Sequence, residues 1–127
     1  MLCETRFFRC DICGNLVGMI HASGAKMICC GQEMTELVPG SVDASHEKHV
    51  PVIKQNGDSI TVHIGSVDHP MTEEHHIAWV YLQTTDGGQR KCLAVGGVPE
   101  VTFALGGAKP VAAYAYCNLH GLWKADA

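Results

Sequence analysis

Val50-Pro-Val-Ile-Lys-Gln-Asn-Gly-Asp-Ser-Ile-Thr-Val-His-Ile64 reads as two strands and the turn between them. In its second half Ile60, Val62 and Ile64 alternate with Ser59, Thr61 and His63, the period of two that turns one face of a strand toward a core. The run 50–54 precedes it, and Asn56-Gly57 inside 55–58 is a strong hairpin signal. Working outward, runs 77–83 and 89–95 flank a turn at Asp86-Gly87-Gly88, and runs 101–105 and 110–116 are separated by Gly106-Gly107. No window of about 11 residues or more carries a helical stripe. Short strands at this spacing, with Gly-rich turns, predict a mainly β chain built around an antiparallel sandwich.

The sandwich does not account for the first part of the chain. Pro39-Gly40-Ser41 is a strong turn signal and predicts a boundary, leaving a piece of 1–38 before a domain of 39–127. A piece below about 40 residues rarely holds a fold on its apolar core alone. It needs a staple, and four thiolates around one metal would supply it.

Composition narrows the function. Charged residues are 17% of the 127, against a usual share of about 25%. Net charge is −4 and no basic run occurs, which argues against nucleic-acid binding. No stretch approaches the roughly 20 apolar residues of a membrane span, and the N-terminus lacks a secretory apolar region. The expectation is a soluble, cytoplasmic protein. Against that background, 7 Cys and 8 His are conspicuous. An odd cysteine count with no secretory signal makes a disulfide framework a poor explanation, and metal binding becomes the first reading.

Cys10-Asp-Ile-Cys13 is followed by the adjacent pair Cys29-Cys30. Two such pairs make a tetrahedral sulfur site suited to iron or zinc. Adjacent residues cannot form the usual knuckle, so their sulfurs are expected to approach at a widened angle. A structural zinc ribbon is the plainer alternative. A redox disulfide at Cys10 and Cys13 is disfavoured because no βαβ pattern surrounds it. Cys3 is expected to be a spare terminal thiol, and Cys92 a small buried hydrophobe.

A second group lies downstream: His49 in Glu47-Lys48-His49, His69 before Pro70-Met71, His75 before His76, and Cys117-Asn-Leu-His120. Singly, each histidine is more often hydrogen-bonded or solvated than a ligand. Together they offer up to four imidazoles and a thiolate, a set that favours redox metals. Spacing alone does not bring them together.

These segments make the chain recognisable. Cys10-Asp-Ile-Cys-Gly-Asn, Cys29-Cys-Gly, Glu47-Lys-His-Val-Pro-Val-Ile, His69-Pro-Met, His75 with Trp79, and Tyr116-Cys-Asn-Leu-His-Gly ending in Trp123-Lys124 closely resemble the desulfoferrodoxin family. This is the two-iron class of superoxide reductases. The resemblance implies a small desulforedoxin-like iron-binding domain followed by an immunoglobulin-like antiparallel β-sandwich. It implies two mononuclear non-haem irons: one held by Cys10, Cys13, Cys29 and Cys30, the other by His49, His69, His75 and His120 in a plane with Cys117 axial. It further implies Glu47 and Lys48 as catalytic residues, superoxide as substrate, rubredoxin as electron donor, and a homodimer. His76 and Leu122 depart from residues common in the family and are expected to affect only the rim of the site. His75 is preferred to His76 on the ground that adjacent strand residues face opposite ways. His46 is expected in solvent, and His21 and His63 are expected not to be ligands. Two other readings remain: an electron carrier with no open iron position, and a zinc-stabilised interaction module. Metal analysis discriminates the last, and small-anion binding to the reduced second iron the former.

Overall fold

The computed structural model describes residues 4–127, so Cys3 lies outside the described residues. The chain divides into two compact units, Met1–Val38 and Pro39–Ala127.

In the first unit β1 (Phe7–Arg9) lies between β2 (Leu16–Gly18) and β5 (Thr35–Glu36), all antiparallel. A separate hairpin joins β3 (Ile28–Cys29) to β4 (Gln32–Glu33). None of these five strands exceeds three residues, too short to show a periodic pattern in the sequence. Phe7, Cys10 and Met34 are the buried apolar residues among those described. That is far too small a core to hold about 35 residues. Surface polar contacts add little: Arg6 makes a two-pronged bond to Glu36 at 3.1 and 2.6 Å, and Arg9 and Thr35 both reach Asp11.

The second unit opens with one helical turn, α1 (His46–His49). Two antiparallel sheets follow. One has the order β10-β7-β6, formed by β6 (Pro51–Asn56), β7 (Ser59–Ile64) and β10 (Glu100–Ala104). The other has the order β12-β11-β8-β9, formed by β8 (Ile77–Thr84), β9 (Gly87–Cys92), β11 (Pro110–Cys117) and β12 (Gly121–Asp126). Ile60, Val62, Ile64 and Phe103 from the first sheet meet Ile77, Val80, Leu82, Ala113, Ala115 and Cys117 from the second. This is an immunoglobulin-like antiparallel β-sandwich, with Cys117 inside its core. No helix among the described residues is long and apolar enough to cross a membrane.

Strand positions differ from the sequence reading in ways that have causes. Asn56 pairs with Ser59, so the first hairpin loop is Gly57-Asp58 and not centred on Asn56-Gly57. Asp58 is wanted there: its carboxylate accepts the N–H groups of Gly106 and Gly107. The second loop is Thr85-Asp86, because Gly87 and Gly88 already pair with β8. Strand β12 carries no alternation in the sequence, because Leu122 and Trp123 are both buried although neighbouring strand residues face opposite ways. Cys92 is exposed, not buried, since it ends β9 at the edge of its sheet. Leu122 is buried.

Candidate metal centres

The first centre is built by two turns. Between β1 and β2 the chain turns tightly, with the Cys10 N–H donating to Asn15 O and the Gly14 N–H to Cys10 O. The β3–β4 hairpin has Cys30-Gly31 as its two-residue loop, with φ of 51° and 76°. Positive φ at both loop positions is the hairpin geometry that matches strand twist, and it is uncommon for a side chain such as that of Cys30. The adjacent pair is thus placed by a turn and not by a knuckle.

The four sulfurs of Cys10, Cys13, Cys29 and Cys30 lie within 4.8 Å of one another, and those of Cys13 and Cys29 are 3.7 Å apart. A metal about 2.3 Å from each thiolate of a tetrahedron separates the sulfurs by about 3.8 Å, so the set fits. Cys10 Sγ accepts the Cys13 N–H at 3.4 Å, and Asn15 Nδ2 donates to Cys29 Sγ at 3.6 Å. Backbone N–H groups of Cys13 and Ile12 pull the Cys10 pKa down to about 6. Hydrogen bonding with Cys13 and Cys10 pushes Cys30 up to about 12 and raises Cys29 as well. Raising Cys29 and Cys30 while lowering Cys10 is the mark of sulfurs crowded together, and a shared cation is what allows four thiolates to coexist.

The second centre gathers five side chains from four places in the chain. His49 ends α1, His69 and His75 lie in the connection between β7 and β8, Cys117 ends β11, and His120 lies just before β12. Ring centroids run His49–His69 4.6 Å, His69–His75 4.6 Å, His75–His120 5.0 Å and His120–His49 4.9 Å, each ring near-perpendicular to the next. His49 and His75 stand 6.1 Å apart across this closed circuit. Ligand atoms of His49, His69, His75 and Cys117 lie within 4.8 Å of one another. His120 lies outside that mutually close set, yet its Nδ1 is 3.1 Å from His49 Nε2 and 3.8 Å from Cys117 Sγ.

Protons decide what this circuit can bind. His49 Nδ1 is 2.7 Å from Ser45 O, and His69 Nδ1 is 2.7 Å from Pro70 O. A carbonyl only accepts, so both Nδ1 atoms carry hydrogen and both Nε2 atoms carry lone pairs. Those Nε2 atoms face each other at 3.2 Å. Burial holds His69 down to about 4 and lowers His49 and His75, so no second proton relieves the repulsion near neutral pH. His75 Nε2 is buried with no hydrogen-bond partner among the described residues. Burial also raises the Cys117 thiol, against the N–H groups of Leu119 and His120 that favour its thiolate. Converging lone pairs beside a buried sulfur fit a cation: a metal about 2.1 Å from neighbouring nitrogens at right angles separates them by about 3 Å.

Glu47 and Lys48 are exposed on α1, immediately before His49. Their backbone is seated on the loop after β7. Val67 N–H and Ser66 Oγ donate to Glu47 O at 2.8 and 3.3 Å, and a Cβ at Gly65 would collide with that oxygen and stand 2.8 Å from Lys48 C. The Glu47 backbone N–H lowers its own carboxyl pKa.

The other histidines are accounted for. His63 pairs with Asp68 at 3.1 Å and with Gly65 O. His46 is exposed with its ring against Trp123, and His21 is exposed in the first unit. His76 points its Nδ1 at Thr72 O, and strand alternation does not separate it from His75, since neither residue is on a strand and β8 begins at Ile77. Three supports were missed: the carbonyls of Ser45 and Pro70, and Trp123, whose Nε1–H holds His120 O at 3.1 Å and whose ring lies 4.9 Å from His49. Carbonyls carry no residue-type signal, so only Trp123 was findable in principle.

Known proteins resemble this chain over both of its units. A family model described as Desulfoferrodoxin, N-terminal domain, matches residues 4–37, and one described as Desulfoferrodoxin matches 41–126. The desulfoferrodoxin of Nitratidesulfovibrio vulgaris is 43% identical over 124 residues, covering 98% of each chain. The desulfoferrodoxin of Syntrophotalea carbinolica is 43% identical over 119 residues, 94% of each. The solved superoxide reductase of Treponema pallidum superposes with a TM-score of 0.82 at 44% identity, covering 97% of this chain and 99% of that one. Similarity of that extent spans both units and both clusters of ligand-forming residues, and the chain belongs to the desulfoferrodoxin family.

Proposed function

We infer that this protein is a superoxide reductase, catalysing O₂⁻ + e⁻ + 2H⁺ → H₂O₂. Its cofactors are two mononuclear non-haem irons, one tetrathiolate and one with imidazole and thiolate ligands. The observation that carries the reading is the circuit of imidazoles whose unprotonated nitrogens converge beside Cys117.

Cys10, Cys13, Cys29 and Cys30 hold the first iron, and His49, His69, His75, His120 and Cys117 the second. Bound iron supplies the single electron that superoxide accepts. Neutral imidazoles leave the centre cationic, which favours an anionic substrate, and the Cys117 thiolate contributes electron density. Ser45 O and Pro70 O keep the His49 and His69 lone pairs turned inward. Lys48, exposed beside His49, attracts the incoming anion and orders water that delivers protons. Glu47 offers a carboxylate at the same place after the product leaves. The electron comes from an external one-electron donor such as rubredoxin, and the enzyme works as a cytoplasmic homodimer.

Cys117→Ser tests the assignment, because a hydroxyl near neutral pH stays protonated and donates weakly. The oxidised protein should lose its thiolate-to-iron absorption at the second centre, and superoxide consumption should collapse while the tetrathiolate absorption persists. An unchanged second-centre spectrum would contradict it.

A further inference from the structure

His49 and His69 are each oriented by a ring N–H to a carbonyl. Among the described residues no such bond holds the His75 ring, whose buried Nε2 is unpartnered. With no such bond, the placement of the ring depends on its packing against His69 and His120 and on how firmly its backbone is held. That backbone is held on both flanks by one residue, Asn118. The His76 N–H donates to Asn118 Oδ1 at 2.8 Å, Asn118 Nδ2 donates to Glu74 O at 2.9 Å, and the Asn118 N–H donates to His76 O at 3.1 Å. Thr72 completes the loop from the other side: its Oγ1 accepts the His75 N–H at 3.1 Å, and its N–H reaches His75 O at 2.9 Å.

The place of these bonds matters. Tyr116 pairs with Trp79 but Cys117 pairs with Ile77, so the β8–β11 ladder slips by one residue as it reaches the site. Regular pairing ends there. Asn118, the residue after Cys117, continues it with both its backbone and its side-chain amide. The amide orientation is dictated by its partners, since only oxygen accepts an N–H and only nitrogen donates to a carbonyl.

We propose that Asn118 is a positioning residue that ties His75 to Cys117, fixing an imidazole of the circuit whose ring has no bond to a carbonyl. The proposal rests on the ligand assignment made above. Groups that orient a metal's ligands typically change affinity about tenfold to a hundredfold when removed.

The test is equilibrium competition for ferrous ion between the full-length chain and a chelator, without oxygen. Occupancy of each centre is read after reoxidation from its separate absorption. Asn118→Ala should lower affinity at the second centre about tenfold to a hundredfold and leave the tetrathiolate centre unchanged. Asn118→Asp keeps the acceptor for the His76 N–H and loses the donor to Glu74 O, so its fall should be smaller. Asp58→Ala is the control: it removes a comparable side-chain clamp, on Gly106 and Gly107, and should leave ferrous affinity unchanged. Wild-type affinity in Asn118→Ala overturns the proposal, as does an equal loss in Asp58→Ala. Should Asn118→Ala fail to fold, wild-type affinity in Asn118→Asp overturns it instead. His75→Ala separates the two levels. Loss there with none in Asn118→Ala rejects the positioning role alone, whereas wild-type affinity in His75→Ala rejects the ligand assignment itself.

Discussion

A histidine whose Nδ1–H is committed to a carbonyl keeps one lone pair and little freedom to turn it away. His49 and His69 are both in this state, and their Nε2 atoms meet at 3.2 Å. The convergent imidazoles and Cys117 were legible in the chain because each stands in a distinctive short motif. What held them was not legible: Ser45 and Pro70 act through carbonyls that any residue owns. Cys92 was misread because burial of a cysteine depends on where its strand lies in the sheet. Substitution of Lys48 tests the proposed enzyme against a metal carrier. Lys48→Ala should lower the second-order rate with superoxide by ~10-fold at low salt, and the rate's decline with ionic strength should become shallower. Glu47→Ala should leave the encounter nearly intact and let added azide or cyanide bind the ferric protein more readily. Stopped-flow rates at several salt concentrations check both. A Lys48→Ala rate equal to wild type at every ionic strength would make Lys48 an ordinary solvated lysine.

Among the elements, α1 is one turn long and owes its place to tertiary contacts, since a single turn is not stable alone. The loop after β7 supplies them at the Glu47 carbonyl, and Gly65 makes the approach possible by lacking a Cβ. Gly65→Ala should therefore cost about 1–3 kcal/mol by overpacking and displace Lys48, slowing superoxide consumption as well as lowering the melting temperature. Wild-type values of both would show that this contact does not seat α1. Strands with one buried and one open face, such as β7, declared themselves through alternation. Strand β12, buried at both Leu122 and Trp123, and the strands of the first unit, three residues or fewer, had no such pattern to show.

On the scale of the molecule, the two units differ in what keeps them folded. The sandwich has a core drawn from both sheets, whereas the described part of the first unit buries Phe7, Cys10 and Met34. The Pro39-Gly40 turn lies at the step from one unit to the other, and the small size of the first piece is what leads to the expectation of a metal staple. Cys13→Ser should accordingly lose the tetrathiolate absorption and the amide protection of the first unit, while superoxide reduction at the second centre survives. Hydrogen exchange and metal counting check this; an ordered first unit without metal would contradict the staple. The central claim is that the protein reduces superoxide and does not disproportionate it. The most direct measurement is the yield of hydrogen peroxide per superoxide consumed, with a reductant present in excess and oxygen followed in parallel. Reduction predicts one hydrogen peroxide for each superoxide and no oxygen release. One hydrogen peroxide for every two superoxides, with oxygen evolved, would contradict the account.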